Sequence, residues 1–135
     1  MLTHYLTFIS EAIKTNWDKP AITNYGANTF TYGQMAEGIE KMHILFEKCG
    51  INKGEKIALC ARNCAEWCVA YFAIVTYDAV CVPLLADFLP QNIADLTRLS
   101  DSRLLLLDKN ILAGLKRDNI IPQFNDIDDF CGLVD

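Results

Sequence analysis

Between Lys56 and Leu107 the chain spells two consecutive units of strand, helix and strand. The first reads KIALCA, then Arg62-Asn63, then CAEWCVAYFAIVTY, then Ala79-Val80-Cys81-Val82-Pro83. A spacing of about thirty residues suits a parallel β-α-β crossover, because parallel strands cannot be joined by a tight hairpin. The second unit leaves Pro83 through Leu84-Leu85-Ala86 and enters a helix from Pro90 to Ser100, opened by proline in its first turn. Ile93, Leu96 and Leu99 form its expected inward face. Arg103-Leu104-Leu105-Leu106-Leu107 closes the unit as an apolar run, the pattern of a strand buried on both faces. Alternating β and α elements with right-handed crossovers predict an α/β fold, a largely parallel sheet with helices on both faces.

Upstream, Leu2, Tyr5, Leu6, Ile9, Ala12 and Ile13 recur at helical spacing and predict a helix from about Thr3 to Lys14. One lysine on its polar face is too few for a helix lying on a membrane surface, so its stripe is expected to pack on its own domain. Ala21 to Tyr25, the turn Gly26-Ala27-Asn28 and Thr29 to Thr31 read as a β-hairpin near the N-terminus. Thr31 and Gln34 fit a capping box at the start of a helix that buries Met35, Ile39, Met42, Phe46 and Cys49. Gly50 supplies a left-handed end to that helix, and Asn52-Lys53-Gly54 turns into the next strand. Asn63, with Glu66 three residues on, is the expected cap of the following helix. A last helix is expected from about Lys109 to Lys116, then a short strand Asn119-Ile120-Ile121, with order fading after Pro122.

With 135 residues, 52% of them hydrophobic, the chain is sized for one core and not for two. Its net charge of -5 is local: five of the seventeen acids come after the last base, Arg117, and residues 1 to 117 are neutral. Nothing there gathers the basic face that nucleic acid requires. Trp67 to Val75 is too short to span hydrocarbon, and Asp78 and Pro83 interrupt the apolar residues beyond it, so no transmembrane segment is expected. No basic region leading into an apolar stretch opens the chain, which favours reduced thiols and a cytoplasmic location.

Few residues suggest chemistry. Cys60, Cys64 and Cys68 stand at four-residue intervals that could surround zinc or an iron-sulfur cluster, but their neighbours Leu59, Ala61, Trp67 and Val69 have core composition. His43 lies beside Met42 and Ile44 with no second histidine or carboxylate at ligand spacing, which favours a structural role. Arg62 sits at the corner between strand and helix where α/β folds take phosphates, yet Ala61-Arg62-Asn63-Cys64 holds no glycine to admit one. A surface ion pair is its commoner fate. Ser10, Ser100 and Ser102 have no histidine nearby in sequence, and no G-x-G-x-x-G, Walker-type lysine or G-x-S-x-G occurs.

Taken in order, certain blocks resemble a known family. They are Asp18-Lys19-Pro20-Ala21-Ile22, Phe30-Thr31-Tyr32-Gly33-Gln34, Gly50 to Ala58, Asn63-Cys64-Ala65-Glu66-Trp67, Ala73-Ile74, Ala79 to Leu84, and Asp101-Ser102. Across about ninety residues they are similar to the amino-terminal portion of the adenylate-forming (AMP-binding) superfamily, and most closely to its long-chain acyl-CoA synthetases. Two positions depart from the family pattern. Glu55 replaces the usual aspartate after Lys-Gly, and Asp78 stands where a glycine usually precedes Ala-Val.

The resemblance implies a partial synthetase domain over 1–135. Its parts would be an N-terminal helix (1–17), a hairpin (20–32), a β-α-β-α-β core (56–121) and a tail (122–135). It implies a longer parent that adenylates a fatty acid and passes the acyl group to coenzyme A, using ATP and Mg2+. The family's phosphate loop, acidic metal site and catalytic lysine have no counterpart here, so no catalytic, cofactor-binding or metal residue carries over. The expected partner is the remainder of the parent chain, no cofactor is expected on this portion alone, and exposed edges predict a homodimer of it. The alternative is a stand-alone, non-catalytic α/β binding or interaction module.

Overall fold

A computed structural model describes residues 5–62 and 64–119. Helix α1 (Tyr5–Thr15) precedes an antiparallel hairpin, β1 (Pro20–Thr23) and β2 (Thr29–Thr31), and helix α2 (Tyr32–Lys48). Next come β3 (Lys56–Cys60), α3 (Ala65–Thr76), β4 (Val80–Pro83), α4 (Pro90–Leu99), β5 (Leu104–Leu107) and α5 (Lys109–Arg117). The main sheet has the order β4-β3-β5, all parallel, with Ile57 opposite Cys81 on one side and Leu104 on the other.

The two-residue period of a strand divides the core. Ile57 and Leu59 of β3, with Leu104 and Leu106 of β5, pack on Phe46 of α2 and Ile74 of α3. Ala58, Cys60, Leu105 and Leu107 point the other way, onto Ile93 and Ala94 of α4 and Leu115 of α5. All four leucines of β5 are fully buried, which explains why the run carries no alternation. The crossover through α3 steps one way along the sheet and that through α4 steps back across β3. Helices on opposite faces are what a common hand requires.

Local signals operate where they were expected. Thr31 accepts from the Gln34 backbone at 3.1 Å while the Gln34 side chain accepts from the Thr31 backbone at 2.9 Å, a complete capping box. At the other end of α2, Gly50 has φ +71°, and the N–H groups of Gly50 and Ile51 bond to the carbonyls of Glu47 and Phe46.

One expected face is corrected. The buried residues of α4 are Ile93, Ala94 and Thr97, whereas Leu99 is 80% exposed and Leu96 lies at the margin. Thr97 turns inward because its hydroxyl donates to the Ile93 carbonyl at 2.7 Å, so burial leaves no orphaned polar group. The expected strand residues Ile120 and Ile121 and the tail 122–135 lie outside the described residues, as does Asn63.

Candidate functional site at the carboxyl edge of the sheet

Beyond the carboxyl ends of the strands, β3 connects to the α3 layer while β4 and β5 connect to the opposite layer. Adjacent connections that part to opposite faces open a crevice, the usual binding place of a parallel sheet. Two clefts occupy it. One, of about 650 Å³, lies between the ends of β3 and β4 and is lined by Ala61, Arg62, Trp67 and the segment from Pro83 to Asp87. The other, of about 390 Å³, lies on the β5 side between Asn24, Glu66, Asp108 and Lys109. Arg62 lines both, and its expected surface ion pair is not made among the described residues.

Two side chains hold this edge together. The Asn24 side-chain oxygen accepts from the Ala65 N–H at 2.7 Å, and its amide donates to Asn28 Oδ1 at 2.8 Å and to the Glu66 carboxylate at 3.2 Å. The hairpin turn is thereby fastened to the start of α3. Asp108 accepts from Arg62 N–H at 3.0 Å with one oxygen and from Ile111 N–H at 2.9 Å with the other. It caps α5 and fixes the loop after β3 in one stroke.

Neither role is among the expectations from sequence. The N-cap position of α3 is Cys64, whose side chain makes no capping bond. The cap instead arrives from Asn24, forty-one residues earlier, because an orphan N–H needs an acceptor within reach in space, and the hairpin delivers one. Asp108 does carry a local signal, an aspartate directly before a helical pattern.

The remaining candidates are structural. His43 Nε2 donates to the Ala73 carbonyl and the Thr76 hydroxyl oxygen, both at 2.9 Å, tying α2 to α3. Burial pushes the Cys60 thiol up to about 12, with the Asp108 charge adding to it, and pushes Cys81 up to about 11. Cys64 and Cys68 are raised as well, chiefly by burial, so these are protonated thiols with little nucleophilic character at neutral pH. The Ser100 and Ser102 hydroxyls lie 2.7 Å apart, and Ser100 donates to the Thr97 carbonyl.

A triphosphate and its magnesium do not fit the groups present at this edge. The first N–H of α3 is spent on Asn24, and Glu66 places a negative charge in the same turn. The nearest bases, Arg62 and Lys109, are balanced in the smaller cleft by Glu66 and Asp108. The edge offers a shaped, mostly neutral wall with one guanidinium that makes no ion pair among the described residues.

Fold and crevice together define an α/β scaffold with its binding edge at the strand termini. The model of the AMP-binding enzyme family matches residues 9–129, and the chain belongs to that family. The crotonobetaine/carnitine–CoA ligase of Proteus mirabilis is 37% identical over 65 residues, which are 48% of this chain and 12% of that protein. A benzoate CoA ligase from Burkholderia xenovorans superposes with TM-score 0.82 at 15% identity, over 99% of this chain and 26% of that one. An anthranilate CoA ligase in complex with anthranoyl-AMP gives 0.81 at 17% identity, over 97% and 25%. These structures share the fold, and the chain spans about a quarter of their length. Among the described residues no helix is long and apolar enough to cross a membrane.

Proposed function

We propose that this chain is the amino-terminal subdomain of an ATP-dependent acid–CoA ligase, silent by itself and serving as one wall of a site completed by later segments. The observation that carries this is the plugged start of α3: the place where a parallel sheet would take a phosphate is filled by Asn24 and flanked by Glu66. Its share of the matched ligases' length, 12% to 26%, supports the same reading. In the whole protein ATP, Mg2+ and coenzyme A are the co-reactants, and a long-chain fatty acid is the acid. That last choice rests on the resemblance of the sequence blocks, since the relatives act on carnitine, benzoate and anthranilate by name. We further place the protein in the cytoplasm, and the exposed Val80 on the outer edge of β4 supports pairing of two copies, which sedimentation at high concentration would refute by showing a monomer.

The test is pyrophosphate–ATP exchange by the purified 135-residue chain with palmitate, benzoate and carnitine in turn. No acid-dependent exchange is expected, and exchange above background overturns the reading. Reading the transcript past codon 135 separates it from the stand-alone module. A downstream Thr/Ser/Gly-rich segment with lysine supports a subdomain, and a stop codon supports the module.

A further inference from the structure

A third cleft, sharing no lining residue with the two at the carboxyl edge, lies between α1, α2 and α3 and holds about 340 Å³. Its walls are mostly carbon: Leu6, Ile9 and Ile13 of α1, Ala36 and Ile39 of α2, Phe72 of α3 and Trp17, with Ser10 of α1 among them. No residue of α1 is fully buried, although its apolar stripe faces this cleft. That stripe therefore borders open volume instead of a packed core. Trp17 lies against Gly33, where even a Cβ would fall 2.5 Å from the indole nitrogen.

Two polar side chains on the wall are already engaged. His43 is engaged by Ala73 and Thr76, and Thr76 donates to the Phe72 carbonyl. Lys14 is the single charged side chain of the lining, is exposed, and makes no ion pair among the described residues. No carboxylate lines the cleft among the described residues. Apolar walls with one cation and no anion complement a ligand that is apolar along its length and anionic at one end.

We propose that this cleft binds a small amphipathic monocarboxylate, its chain against Leu6, Ile9, Ile39 and Phe72 and its carboxylate at Lys14. At roughly 30 Å³ per heavy atom, the share of one water molecule in the liquid, the volume takes about ten heavy atoms, the size of octanoate. The site is separate from the carboxyl edge, and its occupancy does not depend on the ligase reading.

The test titrates the 15N-labelled 135-residue chain with octanoate, octanol and octylamine. Octanoate is expected to give saturable amide shifts confined to α1, the stretch of α2 around Ala36 to His43 and the second half of α3, with octylamine giving none. Lys14→Gln should weaken octanoate roughly two- to fivefold, the range of an exposed ion pair, and leave octanol unchanged. Ala36→Leu, which fills the cleft, should abolish binding of both. Non-saturating or scattered shifts, octylamine binding as well as octanoate, or undiminished binding by a folded Ala36→Leu variant would each overturn the proposal.

Discussion

At the amino end of the sheet the connections are short and closed by the backbone: Gly54 N–H bonds to Asp78, Val80 N–H to Glu55 and Arg103 N–H to Lys56, each at 2.8 Å. Ion pairs Lys53–Asp78 and Arg103–Glu55 lie over them. At the carboxyl end one backbone bond, Leu84 N–H to the Leu59 carbonyl at 2.9 Å, continues the β3–β4 ladder, but the loops are fastened by side chains from far along the chain, Asn24 on Ala65 and Asp108 on Arg62, and clefts remain between them. Backbone closure leaves no room for a ligand, while a few long-range side chains hold loops apart at fixed distances. The end that stays open is the end where parallel sheets take their ligands.

The sharpest way to break this comparison is to remove one fastener from each end. Asn24→Ala leaves the Ala65 N–H without its acceptor and the Glu66 carboxylate without its donor, at a cost of about 2 kcal/mol. Lys53→Ala removes an ion pair whose two side chains are 81% and 62% exposed, worth at most about a few tenths of a kcal/mol. Urea unfolding of both variants checks the ratio. Equal losses would mean that the two ends are held alike.

The same division decides how much the sequence discloses. The buried leucines of β5, the Thr31–Gln34 box and the Gly50 ending of α2 all depend on residues within a few positions of one another, and periodicity or spacing displays them. Leucine spacing misplaces the inward face of α4, because it passes over Thr97, whose hydroxyl hides by bonding to its own helix. Of the carboxyl edge Arg62 is legible, and Asp108 carries the signal of a cap directly before its helix. Asn24 is not, since nothing near it in sequence marks a cap for a helix forty-one residues away.

A smaller effect sharpens the picture of the amino end. The Asn52 N–H, bonded to Glu55 at 2.6 Å, and secondarily Arg103 hold the Glu55 carboxyl below its ordinary 4.5, against the opposing push of burial. A carboxyl whose folded pKa is depressed stabilises fully above the unfolded value and loses that stability as pH falls through the folded one. Glu55→Gln should therefore melt below wild type at neutral pH, and the gap should close only below pH 4.5. A gap that is constant from neutral pH down to strong acid would assign the loss to packing and not to charge.

Asp78 gives the smallest expected change, because three terms oppose one another. It holds φ +65° at the turn from α3 into β4, where the family pattern has glycine, so Asp78→Gly relieves a left-handed strain of about 1 kcal/mol. Against this stand the greater freedom of glycine in the unfolded chain, roughly 0.5–1 kcal/mol, and the lost Lys53 pair, at most about a few tenths of a kcal/mol. The sum lies within about 0.5 kcal/mol of zero. Asp78→Ala separates the terms: it keeps the strain, loses the pair and gains nothing in return, so it should unfold at lower urea than Asp78→Gly. If alanine instead unfolded at higher urea than glycine, by the whole entropy cost of glycine, the left-handed turn would carry no strain, and the amino end would owe its closure to the backbone bonds alone.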